Sequence, residues 1–441
     1  MRRKSKSYDP PMPAGLQVQP DGEPVVAVEL LGEGGQGVVY RARCAGREWA
    51  LKLYRPEAAS AVQRAIIERL VHKGPPRETT CFLWPLRLVV DQSGGFGYLM
   101  DLREPRFRPC EDFLARRVSS TFEALLTAGW QLADSFRNLH IAGLSYSDIS
   151  FGNMFFDPQT GDVRICDNDN VDVDGAERAG VLGTPRFMAP EIVRGEARPS
   201  TETDRFSLAV LLFYLLLGGH PLDGAHEAAI RSLDGISMRR LYGDAPLYIF
   251  DPQDPTNAPV PGIHDNPIAF SKIYSQPLLD LFARSFTAGL HAPRKRVMES
   301  EWMRALVRAG DALQTCPSCH KQCFAGPSRC CWGCKKPLPP PLLLELESDW
   351  RVVLQVGKRL YPHHVDRSRE DELTQVVGRV AAHPQDARRL GLRNEGQDSW
   401  VLVRPDGSRD EVAPGRTAPL QEGNRIQLLG GRTGRVIAAA L

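Results

Sequence analysis

Glycines at positions 32, 34 and 37, in Gly32-Glu33-Gly34-Gly35-Gln36-Gly37-Val38-Val39-Tyr40, set the first constraint on this chain. Lacking a Cβ, such residues let backbone N–H groups come close to phosphate oxygens. A dinucleotide fold places them between a strand and a helix. Here Val25 to Leu31 precedes them and Val38 to Arg43 succeeds them, both apolar and β-prone, and Glu48 to Tyr54 alternates like a third strand. The pattern predicts strand–loop–strand, with Gly32, Gly34, Gly37 and Val39 as candidates for holding a nucleotide. Three glycines in a hairpin are often only a turn, so the weight comes from the ordered motifs further along the chain.

The third strand carries Lys52, in Trp49-Ala50-Leu51-Lys52, which can reach phosphate oxygens as a point charge. Its carboxylate partner is expected on the next helix, over Ala58 to Lys73, where Glu68 is the first choice and Glu57 the second. A further helix is predicted from Phe122 to His140. After it comes Tyr146-Ser147-Asp148-Ile149-Ser150-Phe151-Gly152-Asn153. An Asp five residues before an Asn has the spacing of a catalytic loop, in which Asp148 accepts a hydroxyl proton and Asn153 holds a metal ion. In Arg164-Ile165-Cys166-Asp167-Asn168-Asp169 a strand delivers Asp167, whose carboxylate can bind Mg²⁺. Next come Gly183-Thr184-Pro185-Arg186-Phe187-Met188-Ala189-Pro190-Glu191, then Thr203-Asp204 and a very apolar helix.

These ordered motifs resemble the eukaryotic-type (Hanks-type) protein kinase family over residues 25 to 312. The resemblance implies an α+β, bilobal fold with ATP and Mg²⁺ between the lobes, and transfer of phosphate to a serine or threonine of a protein substrate. It makes Met100 a border of the adenine pocket and Asp101 to Arg103 the hinge, with Met100 and Asp101 among the residues that bind the nucleotide. It pairs Glu191 with Arg296 and buries Leu208 to Leu217 as a central helix. Thr184 then lines the substrate site and contacts Asp148.

Departures from the family pattern are equally informative. Tyr146-Ser147-Asp148 stands where His-Arg-Asp is usual, which removes the Arg that receives an activating phosphate. Ser150 replaces a Lys, and Asp167-Asn168-Asp169 replaces Asp-Phe-Gly. Lys52, Glu68, Asp148, Asn153 and Asp167 are nevertheless all present, which favours an active kinase over an ATP-binding pseudokinase scaffold. Thr184 is the only hydroxyl residue between Asp167 and Glu191, while Asp169, Asp172, Asp174 and Glu177 already load that segment with negative charge. Control without phosphorylation of that segment is therefore expected.

Six of the ten cysteines fall between Cys316 and Cys334. Cys316-Pro-Ser-Cys319 and Cys331-Trp-Gly-Cys334 form two C-x₂-C knuckles, which complete a closed tetrahedral Zn²⁺ site of structural type. Cys330 could replace Cys331, Cys323 and His320 are weaker candidates, and an iron–sulfur cluster is the less supported alternative to zinc. Lys335 to Pro341 reads as a stiff linker. Beyond it, strand-like stretches and the turn Pro405-Asp406-Gly407-Ser408 predict a small β-rich domain with a faint resemblance to forkhead-associated domains, but without their Ser-x-x-His element. His363-His364 is a pair found both in metal sites and in loops that bind nothing.

The domain reading is a flexible tail over 1–24, which carries five prolines, a kinase-like domain over 25–312, a zinc ribbon over 313–336, a linker over 337–341 and the β-rich domain over 342–441. Basic and acidic residues number 55 and 53, a net charge of +2 that supplies no global field for nucleic acid. No apolar run is long enough for a bilayer and no signal peptide is evident, so a cytoplasmic protein is expected. The order kinase, Cys₄ ribbon, β-domain is similar to a bacterial subgroup encoded in tellurite-resistance-type clusters. That similarity implies a von Willebrand factor A protein and a phosphatase as partners, and stress or defence signalling.

Overall fold

The structure, a computed structural model, describes residues 12–76, 81–174, 183–326, 328–347, 350–369, 372–373 and 375–439. The chain divides into two compact units. One comprises the residues up to 120 together with 127–265 and 282–303, and the other comprises 121–126, 266–281 and 304–441. Segments 121–126, 266–281 and 304–312, read from sequence as part of the kinase-like domain, thus cluster with the C-terminal portion.

The first unit begins with strands β1 (Leu16–Gln19), β2 (Pro24–Glu33), β3 (Gly37–Cys44) and β4 (Arg47–Tyr54), then helix α1 (Ala61–Lys73) and strands β5 (Arg87–Val90) and β6 (Phe96–Met100). The strands close into a barrel of order β1-β2-β3-β4-β6-β5. Residues 1–24 therefore do not all form the tail expected from their prolines. Leu16 and Val18 alternate with Gln17 and Gln19, and both apolar side chains are buried in the barrel core with Val25, Leu51, Val89 and Leu99. Burial of two apolar side chains on one strand face outweighs the turn-forming bias of the neighbouring prolines. Residues 1–11 lie outside the described residues.

The rest of this unit is mainly helical. Helix Thr201–Leu217 starts at a capping box in which Ser200 accepts from the Thr203 N–H and Thr203 accepts from the Ser200 N–H. Leu208 to Leu217 is buried along its whole length, as a central helix requires. Tyr146 N–H donates to the buried Asp204 carboxylate at 2.6 Å, tying the loop that carries Asp148 to this helix. Arg296 donates in bidentate fashion to Glu191 at 2.7 and 2.8 Å, the ion pair that the resemblance implied. The stretch Tyr242 to Ile273, whose Pro, Asp and Asn content predicts a long surface insertion, is partly internal, because Tyr242, Tyr248 and Ile249 are buried and Asn257 donates to two backbone carbonyls.

In the second unit, strands Leu313–Thr315 and Gln322–Phe324 pair beside the cysteine knuckles. Residues 342–439 form a sandwich of a six-stranded sheet and a four-stranded sheet. Leu344, Val352, Trp400 and Ile426 from the first sheet share one core with Leu360, Val380, Leu392 and Ala418 from the second. Inward apolar residues alternate along these strands, which is how each sheet buries a single face.

A candidate phosphotransfer cleft

A cavity of about 560 Å³ opens in the first unit between the glycine loop and the Asp148 loop. Gly32, Gly34, Gly37 and Val39 line it from β2, β3 and the loop between them, and Lys52 and Met100 from β4 and β6. Asp148, Asn153 and Asp167 close the opposite side. The glycines are not equivalent. A Cβ on Gly37 would stand 2.3 Å from the Leu53 carbonyl oxygen, so that glycine lets β3 and β4 pack. A Cβ on Gly32 would meet nothing within 4 Å, which leaves its backbone open to a ligand.

Asp148 is held by two neighbours. Thr184 Oγ1 donates to Asp148 Oδ1 at 2.7 Å, and Asn153 Nδ2 donates to Asp148 Oδ2 at 3.0 Å. The contact between Thr184 and Asp148 implied by the family resemblance is formed. Because the Asn153 amide nitrogen is turned to Asp148, its oxygen remains an acceptor. That oxygen and the Asp167 carboxylate are a hard oxygen pair of the type Mg²⁺ takes. Asp167 sits in the left-handed region, at φ 53° and ψ 43°, a conformation that an Asp tolerates better than most residues. Its side chain is 41% exposed, against 0% for Asp169.

Two sequence expectations fail here. Glu68 does not pair with Lys52: it accepts from Arg64 at 2.9 Å on the solvent face of α1. The buried stripe of that helix is Ile66, Ile67 and Leu70, and Gln63 falls on the same stripe whereas Glu68 does not. Asp101 does not line the cavity, and it accepts an ion pair from Arg47 instead.

Lys52 instead meets Asp169, noted from sequence only as a departure from the family pattern and as negative charge, which is shared with Tyr54 and Tyr98. Lys52 Nζ donates to Asp169 at 2.9 and 3.0 Å and to Asp167 at 3.2 Å. Tyr54 donates a short hydrogen bond to Asp169 Oδ2, and Tyr98 donates to Oδ1 at 3.2 Å. Burial alone would raise the Asp169 carboxyl, but the Lys52 ammonium and the Tyr54 hydroxyl hold it below the usual range. Burial would likewise lower the Lys52 ammonium, and Asp169 and Asp167 raise it instead. Asn168, in the place of an apolar Phe, is fully buried and donates to the carbonyls of Leu83 and Ile165 at 2.7 and 3.0 Å. Tyr146 donates to the Cys166 carbonyl and so ties the Asp148 loop to the Asp167 turn. Strand alternation puts Tyr54 on the Lys52 face of β4, but Phe96 to Met100 is buried throughout and shows no alternation, and neither hydroxyl gave a sign of a shared acceptor.

Residues 25–285, more than half of the chain, match the model of the protein kinase domain. The chain belongs to the protein kinase family. A two-lobed kinase domain accounts for the barrel, the helical part and the cleft. Similar proteins include the serine/threonine-protein kinase PkaB of Streptomyces coelicolor, 28% identical over 47% of this chain and 52% of that protein. The DNA damage-responsive serine/threonine-protein kinase RqkA of Deinococcus radiodurans is 30% identical over 46% of this chain and 31% of its own length. A probable serine/threonine-protein kinase of Zea mays, CCRP1, is 30% identical over 25% of this chain and 18% of its own. The chain thus spans about half or less of the length of these relatives.

Two side-chain clusters in the second unit have metal-ligand composition. Sγ atoms of Cys316, Cys319, Cys331 and Cys334 all lie within 4.8 Å of one another, with Cys316 to Cys334 at 3.7 Å and Cys319 to Cys331 at 3.5 Å. Zn–S bonds of about 2.3 Å in a tetrahedron require sulfurs about 3.8 Å apart, so the set fits Zn²⁺. Cys330 is exposed and outside the set, whereas Cys323 is buried with its Sγ 3.6 Å from that of Cys331. Asp311, His363 and His364 form the other cluster. His364 Nδ1 accepts from the Tyr361 N–H at 2.9 Å, which puts the ring proton on Nε2, facing Asp311 at 3.0 Å. A protonated nitrogen has no lone pair for a metal, so His364 and Asp311 form a hydrogen-bonded staple, and His363 stands outside it with Nδ1 facing the Glu372 carbonyl at 3.2 Å.

Proposed function

We propose that this protein is an ATP- and Mg²⁺-dependent serine/threonine protein kinase that transfers the γ-phosphate of ATP to a protein hydroxyl. One observation carries the reading: Lys52, Asp148, Asn153 and Asp167 face a single cavity, with Thr184 hydrogen-bonded to Asp148. Asp148 would accept the substrate hydroxyl proton, its carboxylate aimed by Thr184 and Asn153. Lys52 would hold nucleotide phosphates, the open backbone at Gly32 and Gly34 would cover them, and Met100 would border the base. Mg²⁺, when bound by Asn153 and Asp167, would neutralise charge on the phosphates.

Radiolabelled phosphate transfer by the wild type and by Asp148→Asn tests this. Loss of a positioned base costs about 10²–10⁴-fold in rate. Equal signals from both proteins would assign the activity to a contaminant. Tight nucleotide binding without transfer to any substrate would leave a pseudokinase scaffold.

Cys316, Cys319, Cys331 and Cys334 would hold one structural Zn²⁺, making 313–336 a ribbon, with 337–341 as linker and 342–441 as a binding module. Metal analysis of protein purified without chelator should find one zinc per chain. Iron, or no metal, would overturn the assignment. Chelation should unfold the ribbon and leave ATP binding in place. Domain order supports a role in bacterial stress or defence signalling, beside a von Willebrand factor A protein and a phosphatase. No helix among the described residues is long and apolar enough to cross a membrane. The near-zero net charge supplies no global field for nucleic acid, and a cytoplasmic location remains part of this proposal. Co-purification of such partners from cells would test the signalling role, and their absence at native expression would count against it.

A further inference from the structure

The carboxylate partner of the phosphate-binding lysine is expected on helix α1, and here that helix supplies none. Its inward polar residue is the neutral Gln63, which donates to Tyr54 Oη at 3.1 Å and to the Asp169 carbonyl at 3.3 Å. Its carboxylate, Glu68, is exposed and occupied by Arg64. Lys52 is almost fully buried, and a buried ammonium without an anion gives up its proton or its position. Asp169 meets that requirement from the other side of the cleft, with its side chain wholly enclosed and two oxygen contacts of 2.9 and 3.0 Å to Nζ.

We propose that Asp169 is the positioning residue for Lys52, set in place by the Tyr54 and Tyr98 hydroxyls, and that the lysine's placement does not depend on a carboxylate of α1. The inference rests on the kinase reading above. Its elements are strands β4 and β6, which carry Lys52, Tyr54 and Tyr98, and the turn that also carries Asp167. Gly97, between the tyrosine and Phe96, allows the close strand approach, since a Cβ there would stand 2.0 Å from the Lys52 carbonyl oxygen. Asp169 also protects Asp167. Lys52 lies nearer to Asp169 than to Asp167, which leaves the more exposed Asp167 carboxylate available for a cation. Remove the Asp169 charge, and Asp167 is the carboxylate left to the ammonium, in competition with Mg²⁺.

The experiment measures initial rates of γ-phosphate transfer across a Mg²⁺ titration, with thermal unfolding recorded for each protein. Full-length wild type, Asp169→Asn, Tyr54→Phe and Glu68→Gln are compared. Asp169→Asn should lower kcat about 100-fold, the size of effect expected when a reacting group is misplaced by about 1 Å. It should also raise the Mg²⁺ concentration for half-maximal rate several-fold, which a merely structural role would not do. Tyr54→Phe removes one hydrogen bond to a charged group and should cost about tenfold in kcat, with the same direction of Mg²⁺ shift. That variant decides the matter if Asp169→Asn does not fold. Glu68→Gln should stay within about twofold of wild type, because its partner is a surface arginine. Asp169→Asn or Tyr54→Phe that shifts only the unfolding temperature, or Glu68→Gln that loses activity on the scale expected of Asp169→Asn, would overturn the proposal. A wild type that transfers nothing would overturn the kinase reading itself, an outcome distinct from a loss confined to the variants.

Discussion

Asp169 in the first unit and Asp311 in the second are both buried carboxylates that face a lysine ammonium and take a hydrogen bond from an aromatic ring. Asp169 faces Lys52, Tyr54 and Tyr98. Asp311 faces Lys358 at 3.3 Å, Trp350 Nε1 at 2.9 Å and His364 Nε2 at 3.0 Å. They differ in what the lysine does with its remaining hydrogens. Lys52 turns one to Asp167, which lines the cleft, whereas Lys358 turns one to the Gly310 carbonyl. Much the same chemistry thus gives a ligand-facing cation in one place and a closed staple in the other. A second, accessible carboxylate makes the difference.

Breaking the staple is the largest test of that contrast. Asp311→Ala leaves Lys358 and His364 facing an empty acceptor, and loss of one partner from a buried pair costs about 3–5 kcal/mol. Chemical denaturation should show that loss, while transfer per folded molecule should hold within about twofold. Asp169→Asn should invert the pattern, with a large loss of rate. If both variants lost only stability, the two clusters would be equivalent and the contrast void.

A pH series sharpens the comparison through two histidines. In the first unit, burial disfavours the His140 cation, but hydrogen bonds to Asp204 and Glu299 outweigh it and raise the group to about 9. Its contribution is complete below the unfolded value of about 6.5 and is lost as pH rises through 9. In the second unit, burial pushes His363 down to about 3. Below about pH 6.5 the unfolded chain binds the proton that the folded one refuses, so stability falls as pH drops from there towards 3. Denaturation midpoints from about pH 4 to 10 should therefore fall at both ends. His140→Gln should flatten the alkaline fall alone, and an unchanged alkaline limb would contradict the assignment.

Thr184→Ala should cost about tenfold in kcat/KM for the protein substrate, one hydrogen bond to a charged acceptor, with KM for ATP unchanged. Thr184→Ser should restore most of it. An equal rise in KM for ATP would point to a collapsed cleft. Phosphatase treatment should have the smallest effect, a change of less than about twofold. Asp172 is already paired with Arg69 of α1, and Asp174 accepts from the Thr201 N–H at 2.8 Å, so residues 172–174 are anchored by charges the chain carries itself, while Glu177 lies outside the described residues. If dephosphorylated protein were silent and Thr184→Glu active, an added phosphate would be the missing anchor.

Lys52, Asp148, Asn153, Asp167 and the four cysteines were legible because local spacing fixes them: each depends on a few consecutive residues. Glu68 was misassigned because the choice required the rotation of α1, although Ile66, Ile67 and Leu70 already marked its buried face. Asp169 stood in view inside Asp167-Asn168-Asp169, but its role depends on Tyr54 and Tyr98, more than 70 residues away in sequence, and no pattern in one strand announces that meeting. The strand at Leu16–Gln19 was hidden by neighbouring prolines, and only its partners Val25 and Val89 make sense of it. The boundary near 312 was placed at the ends of motifs, whereas compactness depends on side chains: Phe122 and Tyr274 pack on Phe324, with ring centroids 5.0 and 5.1 Å apart.

The strand at Leu16–Gln19 has a consequence of its own. By pairing with β2 on one side and β5 on the other, it makes the sheet a ring, and a ring has no free edge. An open small-lobe sheet would offer a row of unpaired amides and carbonyls, onto which another chain could add a strand. Among the described residues this barrel offers no such row. A regulator of the lobe must use side chains on its outer surface, and self-association by strand addition is closed to it from the moment the barrel forms.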